Sequence, residues 1–297
     1  MAMTKGFRQA LKERQEQIDS LVCVGLDPIP EELPKCLITG SSDIHVAEDI
    51  ATWMKAMVDT TAPHASMFKP QKAHYEAFRH GDVTLQSIVK HINLKHPEIP
   101  VFLDCKRGDI GRTQERYKIA HFELDGVDGM NFSPYMGEDC MEHLVDKNHL
   151  ERAIVGLCYT SNPKARKVQD VLLADGRMYW EFMAEEILNW AKELGIVENA
   201  GLVMAAAFEN PKGSEKIYSE HLTRCRNIVG DSLWFLIPGV GTQGGYVAQT
   251  IQHSFFGYGS IAINSSSEIN FASSGKDFAE AAGEKAKELH DKTRVAS

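Results

Sequence analysis

VFLDCKRGDIGRT (residues 101–113) begins as an apolar run and ends in charge, with Asp104, Lys106, Arg107 and Asp109 in close succession. A chain entering its core has reason to do this where a strand ends and a loop begins. Asp104 and Lys106 stand two apart, so on an extended backbone both side chains project to the same side. Seven comparable runs recur: LVCVGLD (21–27), SMFKP (66–70), GMNFSP (129–134), AIVGLCYT (153–160), GLVMAA (201–206), WFLIPGV (234–240) and SIAINSS (260–266). Between them lie helix-period segments such as MYWEFMAEEILNWAKEL (178–194), with Trp180, Met183, Ile187 and Trp190 at spacings of three and four. Strands alternating with helices pair in parallel, because each crossover returns the chain to the same end of the sheet. Eight such units predict an α/β fold, a closed (β/α)8 TIM barrel forming a single domain over 1–297. Residues 1–20 are expected as an extra N-terminal helix outside the barrel, over its base.

Composition narrows the function. The chain has 297 residues, 43% hydrophobic and 25% charged, and no apolar stretch approaches the ~20 residues of a membrane-spanning helix. The opening MAMTKGFRQALKERQEQIDS has the alternating charge of a surface helix and lacks the apolar centre of a secretory signal, which implies a cytoplasmic protein. Six cysteines show no zinc or redox spacing and read as reduced thiols, mostly in the core. His91 and His96 are the closest pair among twelve histidines, and five apart is poor for sharing a helix face, so no metal is called for. A net charge of −9 argues against nucleic-acid binding, which needs a positive surface. It leaves room for an anionic small molecule in a locally positive pocket.

In a (β/α)8 barrel, chemistry gathers where strands end and the following loops begin. Asp27, Lys69, Asp104, Lys106, Thr160 and Ser161 all fall at that face, with Asp109 just beyond in a loop. Two ammonium groups and two carboxylates packed together hold one another's ionisation states. A carboxylate about 4 Å from a lysine gains roughly 4 kcal/mol at an effective dielectric near 20. A substrate that loses a negative group beside Asp104 and develops a carbanion beside Lys106 is therefore pushed forward. After the seventh strand, PGVGTQGG (238–245) matches G-x-G-x-x-G at Gly239, Gly241 and Gly244, but an acidic residue about 20 positions on is missing, Glu268 lying 24 beyond Gly244. A phosphate loop after strands seven and eight is the better reading; a glycine-rich turn with no ligand is the alternative.

Together these segments resemble the orotidine 5′-phosphate decarboxylase family, in particular its longer bacterial type. The resemblance runs in order through VGLDP (24–28), FKPQ (68–71), LDCKRGDIGRT (103–113), SPYMG (133–137), TSNP (160–163) and PGVGTQGG (238–245). It implies conversion of orotidine 5′-phosphate to UMP with no metal or organic cofactor, in pyrimidine biosynthesis. On the same resemblance Lys69, Asp104, Lys106 and Asp109 form the catalytic array. Lys106 protonates C6, Asp104 faces the leaving carboxylate, and Lys69 orients Asp104 and the ribose. Asp27 binds a ribose hydroxyl, Ser161 reads the pyrimidine edge, and Gln243 with the amides of Gly239 and Gly241 holds the phosphate, while Thr160, Pro238, Ser266 and Ser267 are further substrate-binding positions. Asp109 and Thr113 reach into the neighbouring site of a homodimer.

One departure stands out. The family pattern after the eighth strand runs Ser-Arg-Gly-Ile, whereas this chain has Ser266-Ser267-Glu268-Ile269. Losing a charge-assisted contact costs roughly 1.5–3 kcal/mol, or about ten- to a hundredfold in binding. Three other readings stay open: a nucleotide-binding paralogue with weakened catalysis, a sugar-phosphate decarboxylase or aldolase of the same superfamily, and, least favoured, a nicotinamide oxidoreductase.

Overall fold

A computed structural model describes residues 5–210, 213–240 and 246–295. Eight parallel strands form its central sheet: β1 Val22–Leu26, β2 Met67–Pro70, β3 Phe102–Arg107, β4 Gly129–Phe132, β5 Ala153–Tyr159, β6 Ala200–Met204, β7 Trp234–Ile237 and β8 Ile261–Ser265. Their order in space follows their order in the chain, and β8 returns to pair with β1. Between β2 and β3 the sheet is joined only by the isolated pairings Phe68–Val101 and Gln71–Asp104, which make the barrel nearly closed. Each of the eight apolar runs becomes one of these strands. The run 234–240 stops short at Ile237, because Pro238 has no N–H to donate and Gly239 turns at φ 103°.

Around the strands lie α1 Phe7–Ile18, α2 Asp43–Thr61, α3 Gly81–Lys95, α4 Gly111–Lys118, α5 Tyr179–Glu193, α6 Glu220–Val229, α7 Val247–Ser254 and α8 Phe278–Thr293, with shorter turns between. Every residue of β1, β2, β4, β6, β7 and β8 is buried, as expected of strands covered by helices on one face and by the barrel interior on the other. The apolar positions of α5 face inward, with Trp180, Met183, Ile187 and Trp190 all buried.

The expected N-terminal helix does more than cover the base. Phe7 and Leu11 of α1 enter the lower interior with Cys23, Met67, Phe102 and Trp234. The Phe7 ring stacks on Trp234 at 5.4 Å and meets Phe102 edge-on at 6.0 Å. With the floor filled by side chains, the open end of the barrel is the opposite one.

One expectation fails. His91 and His96 do come together, because His96 has left the helix at φ −135°, ψ 54° and its ring swings back beside that of His91. Both rings donate from Nε2 to Oδ1 of Asp59, at 2.8 and 2.9 Å.

Burial also fixes a pH response. His221 of α6 is enclosed by Tyr159, Phe208 and Tyr218. Its Nε2–H donates to the Ala205 carbonyl at 2.8 Å, and Nδ1 has no hydrogen-bond partner among the described residues. Burial pushes its pKa down to about 4. The unfolded chain therefore takes up this proton first, so the contribution of neutral His221 is whole above about pH 6.5 and is lost as pH falls toward 4. It amounts to about 3 kcal/mol over that window. Denaturant unfolding at pH 7 and pH 4.5 is expected to show this loss, and a His221→Gln variant a much flatter response. Equal slopes would assign the acid limb to other groups.

Candidate active site

At the open end, a cavity of about 550 Å³ is lined from the strand ends. Among the described lining residues the charged ones are Asp27, Lys69, Asp104 and Lys106, two of each sign. Asp27 follows β1, Lys69 sits near the end of β2, and β3 carries Asp104 and Lys106.

Asp104 is the hub. Its Oδ2 accepts from Lys69 Nζ at 3.3 Å, and its Oδ1 accepts from Lys106 Nζ at 2.5 Å and from Asn131 Nδ2 at 2.7 Å. Burial alone would raise the Asp104 pKa, but the two ammonium groups and these hydrogen bonds hold it well below the usual carboxylate range. Lys69 shows the reverse balance. Burial would lower its pKa, yet the Asp27 and Asp104 carboxylates outweigh that and keep the ammonium firmly protonated. Only 3% of the Lys69 side chain is exposed, whereas 46% of Lys106 is open to the cavity side.

The simple strand geometry expected for Asp104 and Lys106 needs correction. Leu103 pairs with Met130 and Arg107 with Phe132, so β3 bulges between them. Lys106 sits in the left-handed region at φ 47°, a conformation that costs a non-glycine residue about 1–3 kcal/mol unless its surroundings impose it. Asn131 imposes it: its Oδ1 accepts the N–H of Cys105 at 2.9 Å and of Lys106 at 2.7 Å, while its amide donates to Asp104. Sequence reasoning passed over Asn131. The signal was there, a lone amide side chain inside the apolar strand GMNFSP, fully buried and therefore in need of partners. An Asn131→Ala change is expected to lower kcat about ten- to a hundredfold with little change in KM, because it loosens Lys106 and Asp104 together. Steady-state kinetics check this, and an unchanged kcat would mean the bulge holds without the amide.

Downstream, Arg107 is braced. Its Nε donates to His121 Nε2 at 3.0 Å, and a terminal nitrogen reaches Glu76 at 2.5 Å. His121 in turn donates from Nδ1 to Asp125 at 2.9 Å, and Asp125 also pairs with Lys72. The loop after Lys106 therefore starts from a fixed point.

Not every expected residue joins the cavity. Asp109 is absent from the described lining; its carboxylate accepts the N–H of the next residue, Ile110, at 2.8 Å. Thr113 lies exposed in the first turn of α4. The anticipated four-member array thus has Lys69, Asp104 and Lys106 in this cavity, with Asp27 as its second carboxylate. Thr160, Ser161, Pro238, Ser266 and Ser267 line the cavity as expected. Gln169 pins the Thr160 segment, accepting its N–H and donating to its hydroxyl, both at 2.9 Å. Gly25 of β1 is dictated by Ser266, since a Cβ there would lie 1.9 Å from the serine hydroxyl. Gly239 turns the chain after Pro238, while Gly241 and Gln243 lie outside the described residues. Glu268 is exposed and does not line the cavity.

Residues 20–282 match the orotidine 5′-phosphate decarboxylase / HUMPS family. The orotidine 5′-phosphate decarboxylase of Bordetella pertussis is 36% identical over 286 residues, covering 96% of this chain and 97% of the relative. That of Cupriavidus taiwanensis is 39% identical over 277 residues, 93% of each chain. Among solved structures, Leishmania donovani OMP decarboxylase superposes with a TM-score of 0.73 at 27% identity, covering 98% of this chain and all of that one. The putative orotidine-monophosphate decarboxylase of Plasmodium yoelii shares the fold at a TM-score of 0.80 and 20% identity.

Proposed function

We propose that this chain, which belongs to the orotidine 5′-phosphate decarboxylase / HUMPS family, converts orotidine 5′-phosphate to UMP and carbon dioxide without a cofactor. The observation that carries the reading is Asp104 held ionised between two ammonium groups, one buried and one facing the cavity. A substrate carboxylate placed against Asp104 meets a fixed like charge that it escapes by leaving as CO2. The electron pair of the broken C–C bond stays on C6, where Lys106 stabilises it and delivers a proton; the resulting amine regains its proton from water. These interactions strengthen as charge moves from carboxylate to ring carbon, which is what accelerates a chemical step.

Lys69 orients Asp104 and the ribose, Asp27 takes a ribose hydroxyl, and Thr160 and Ser161 meet the pyrimidine edge. On the resemblance Gly239, Gly241 and Gln243 take the phosphate, with Pro238, Ser266 and Ser267 as further substrate-binding positions. Asp109 and Thr113 complete the site of a second copy in a homodimer. Their position outside this chain's own cavity supports that reading, as do Ile110, next to Asp109 in sequence, and Tyr135 at the cavity, which expose 48% and 83% of their surface. We place the enzyme in the cytoplasm; no described helix is long and apolar enough to cross a membrane.

The test follows the ultraviolet loss of orotidine 5′-phosphate with EDTA-treated protein, beside orotidine and a Ser267→Arg variant. Turnover of the phosphate by the wild type is expected. Turnover only in the variant would mean that the catalytic array persists but the natural ligand is another nucleotide. Inhibition by EDTA would favour the metal-dependent sugar-phosphate chemistry of the wider superfamily.

A further inference from the structure

We propose that Asp59, His91 and His96 form a binding site for a divalent transition-metal ion, zinc first among them, on the barrel face opposite the cavity. Asp59 lies in the last turn of α2; His91 lies near the end of α3 and His96 just past it. The outer helices run antiparallel to the strands, so both helix ends meet the starts of β2 and β3, far from the chemistry.

The donor atoms converge. Both Nε2 atoms stand within 2.9 Å of one carboxylate oxygen, and all three donors lie within 4.8 Å of one another. The rings are inclined at 62° with centroids 6.4 Å apart, so they approach from different directions, as ligands around a single ion must. Their aim is set by packing, because only 19% and 21% of the two side chains is exposed. Asp59, at 52%, is free to swing. A small outward movement of its carboxylate opens the cluster toward the about 3.3 Å donor separation of a tetrahedral zinc site with bonds near 2.0–2.1 Å.

The donor set selects the ion. Two imidazole nitrogens and one carboxylate suit zinc, whereas magnesium and calcium require oxygen ligands. Zinc replaces the two N–H hydrogens now shared with Asp59, each ring proton moving to Nδ1, and water fills the remaining position. Two helix C-termini also point their partial negative charge at this corner. The bound ion would tie the end of α2 to the end of α3, the helices that lead into the strands carrying Lys69, Asp104 and Lys106.

The experiment titrates full-length, EDTA-stripped and desalted protein with Zn2+ by calorimetry, beside Asp59→Asn, His91→Gln and His96→Gln. One site of micromolar or tighter affinity is expected in the wild type, weakened at least tenfold by each substitution. Zn2+ should raise the Tm of the wild type and not that of the His91→Gln/His96→Gln double variant. Glutamine preserves a donor toward Asp59, so the variants keep the clamp between the helices and are checked by circular dichroism. As a second readout, Co2+ should give the ligand-field absorption of a tetrahedral centre in the wild type alone. Wild-type affinity no greater than that of the double variant, or a Tm shift or Co2+ spectrum that survives in it, would overturn the assignment.

Discussion

Replacing Lys106 with alanine is expected to lower kcat for orotidine 5′-phosphate by about 10⁴-fold or more while leaving the barrel folded. Proton donation by a positioned acid is typically worth 10²–10⁴ in rate, and a preorganised charge at the site of developing negative charge another 10²–10³. Lys106 serves both roles. The fold should survive because this side chain is 46% exposed and Asp104 retains Lys69 and Asn131 as partners. Single-turnover kinetics with a melting curve separate the two effects. Activity within tenfold of the wild type, in a variant with unchanged Tm, would remove Lys106 from the mechanism and with it the proposed source of the proton. Lys106→Arg is expected to stay low as well, because the planar guanidinium does not give up a proton at working pH.

The barrel was legible in the sequence because its signals are local. Each apolar run is short, each is followed by helix-period residues, and the charges of Asp27, Lys69, Asp104 and Lys106 fall at run ends, where a parallel barrel collects chemistry. What escaped depends on contacts distant in the chain. The β3 bulge that turns Lys106 into the left-handed region exists because Asn131, on the next strand, accepts two of its amides; neither residue announces this alone. Asp59 lies 32 and 37 positions from the histidines it gathers, and helix spacing at His91–His96 argued against the very pairing that the helix end permits. Asp109 shows a different limit. The resemblance assigns it a catalytic role, yet it stands outside this chain's cavity, and the second copy that the proposed function calls on is something one chain's sequence cannot display.

Lys69→Met is the second large change, and its signature is stability. Lys69 is buried between the Asp27 and Asp104 carboxylates. Removing one partner of a buried ion pair typically costs about 3–5 kcal/mol, because the remaining charge stays buried without compensation. That is a large share of the ~5–15 kcal/mol by which a domain is stable. Because the cost arises from charge repulsion and not from lost packing, two further outcomes are expected. A second change, Asp104→Asn, should restore part of the loss, giving a non-additive cycle. The response to pH should also differ from that of the wild type. In the wild type the Asp104 carboxyl lies below its unfolded value, so its contribution is complete above about pH 4 and is lost only as pH falls further. Without Lys69, one carboxyl of the pair is pushed above its unfolded value, a contribution that favours the folded variant as pH is lowered, so the cost of the substitution shrinks between pH 7 and pH 5. Both proteins share the loss from neutral buried histidines such as His221 over that interval, so the difference between them isolates the carboxyl. Denaturant titrations at the two pH values discriminate directly. If Lys69→Met costs less than about 1 kcal/mol, or its cost does not shrink on acidification, then water screens Asp27 and Asp104 and the array does not store the repulsion that the proposed decarboxylation draws upon.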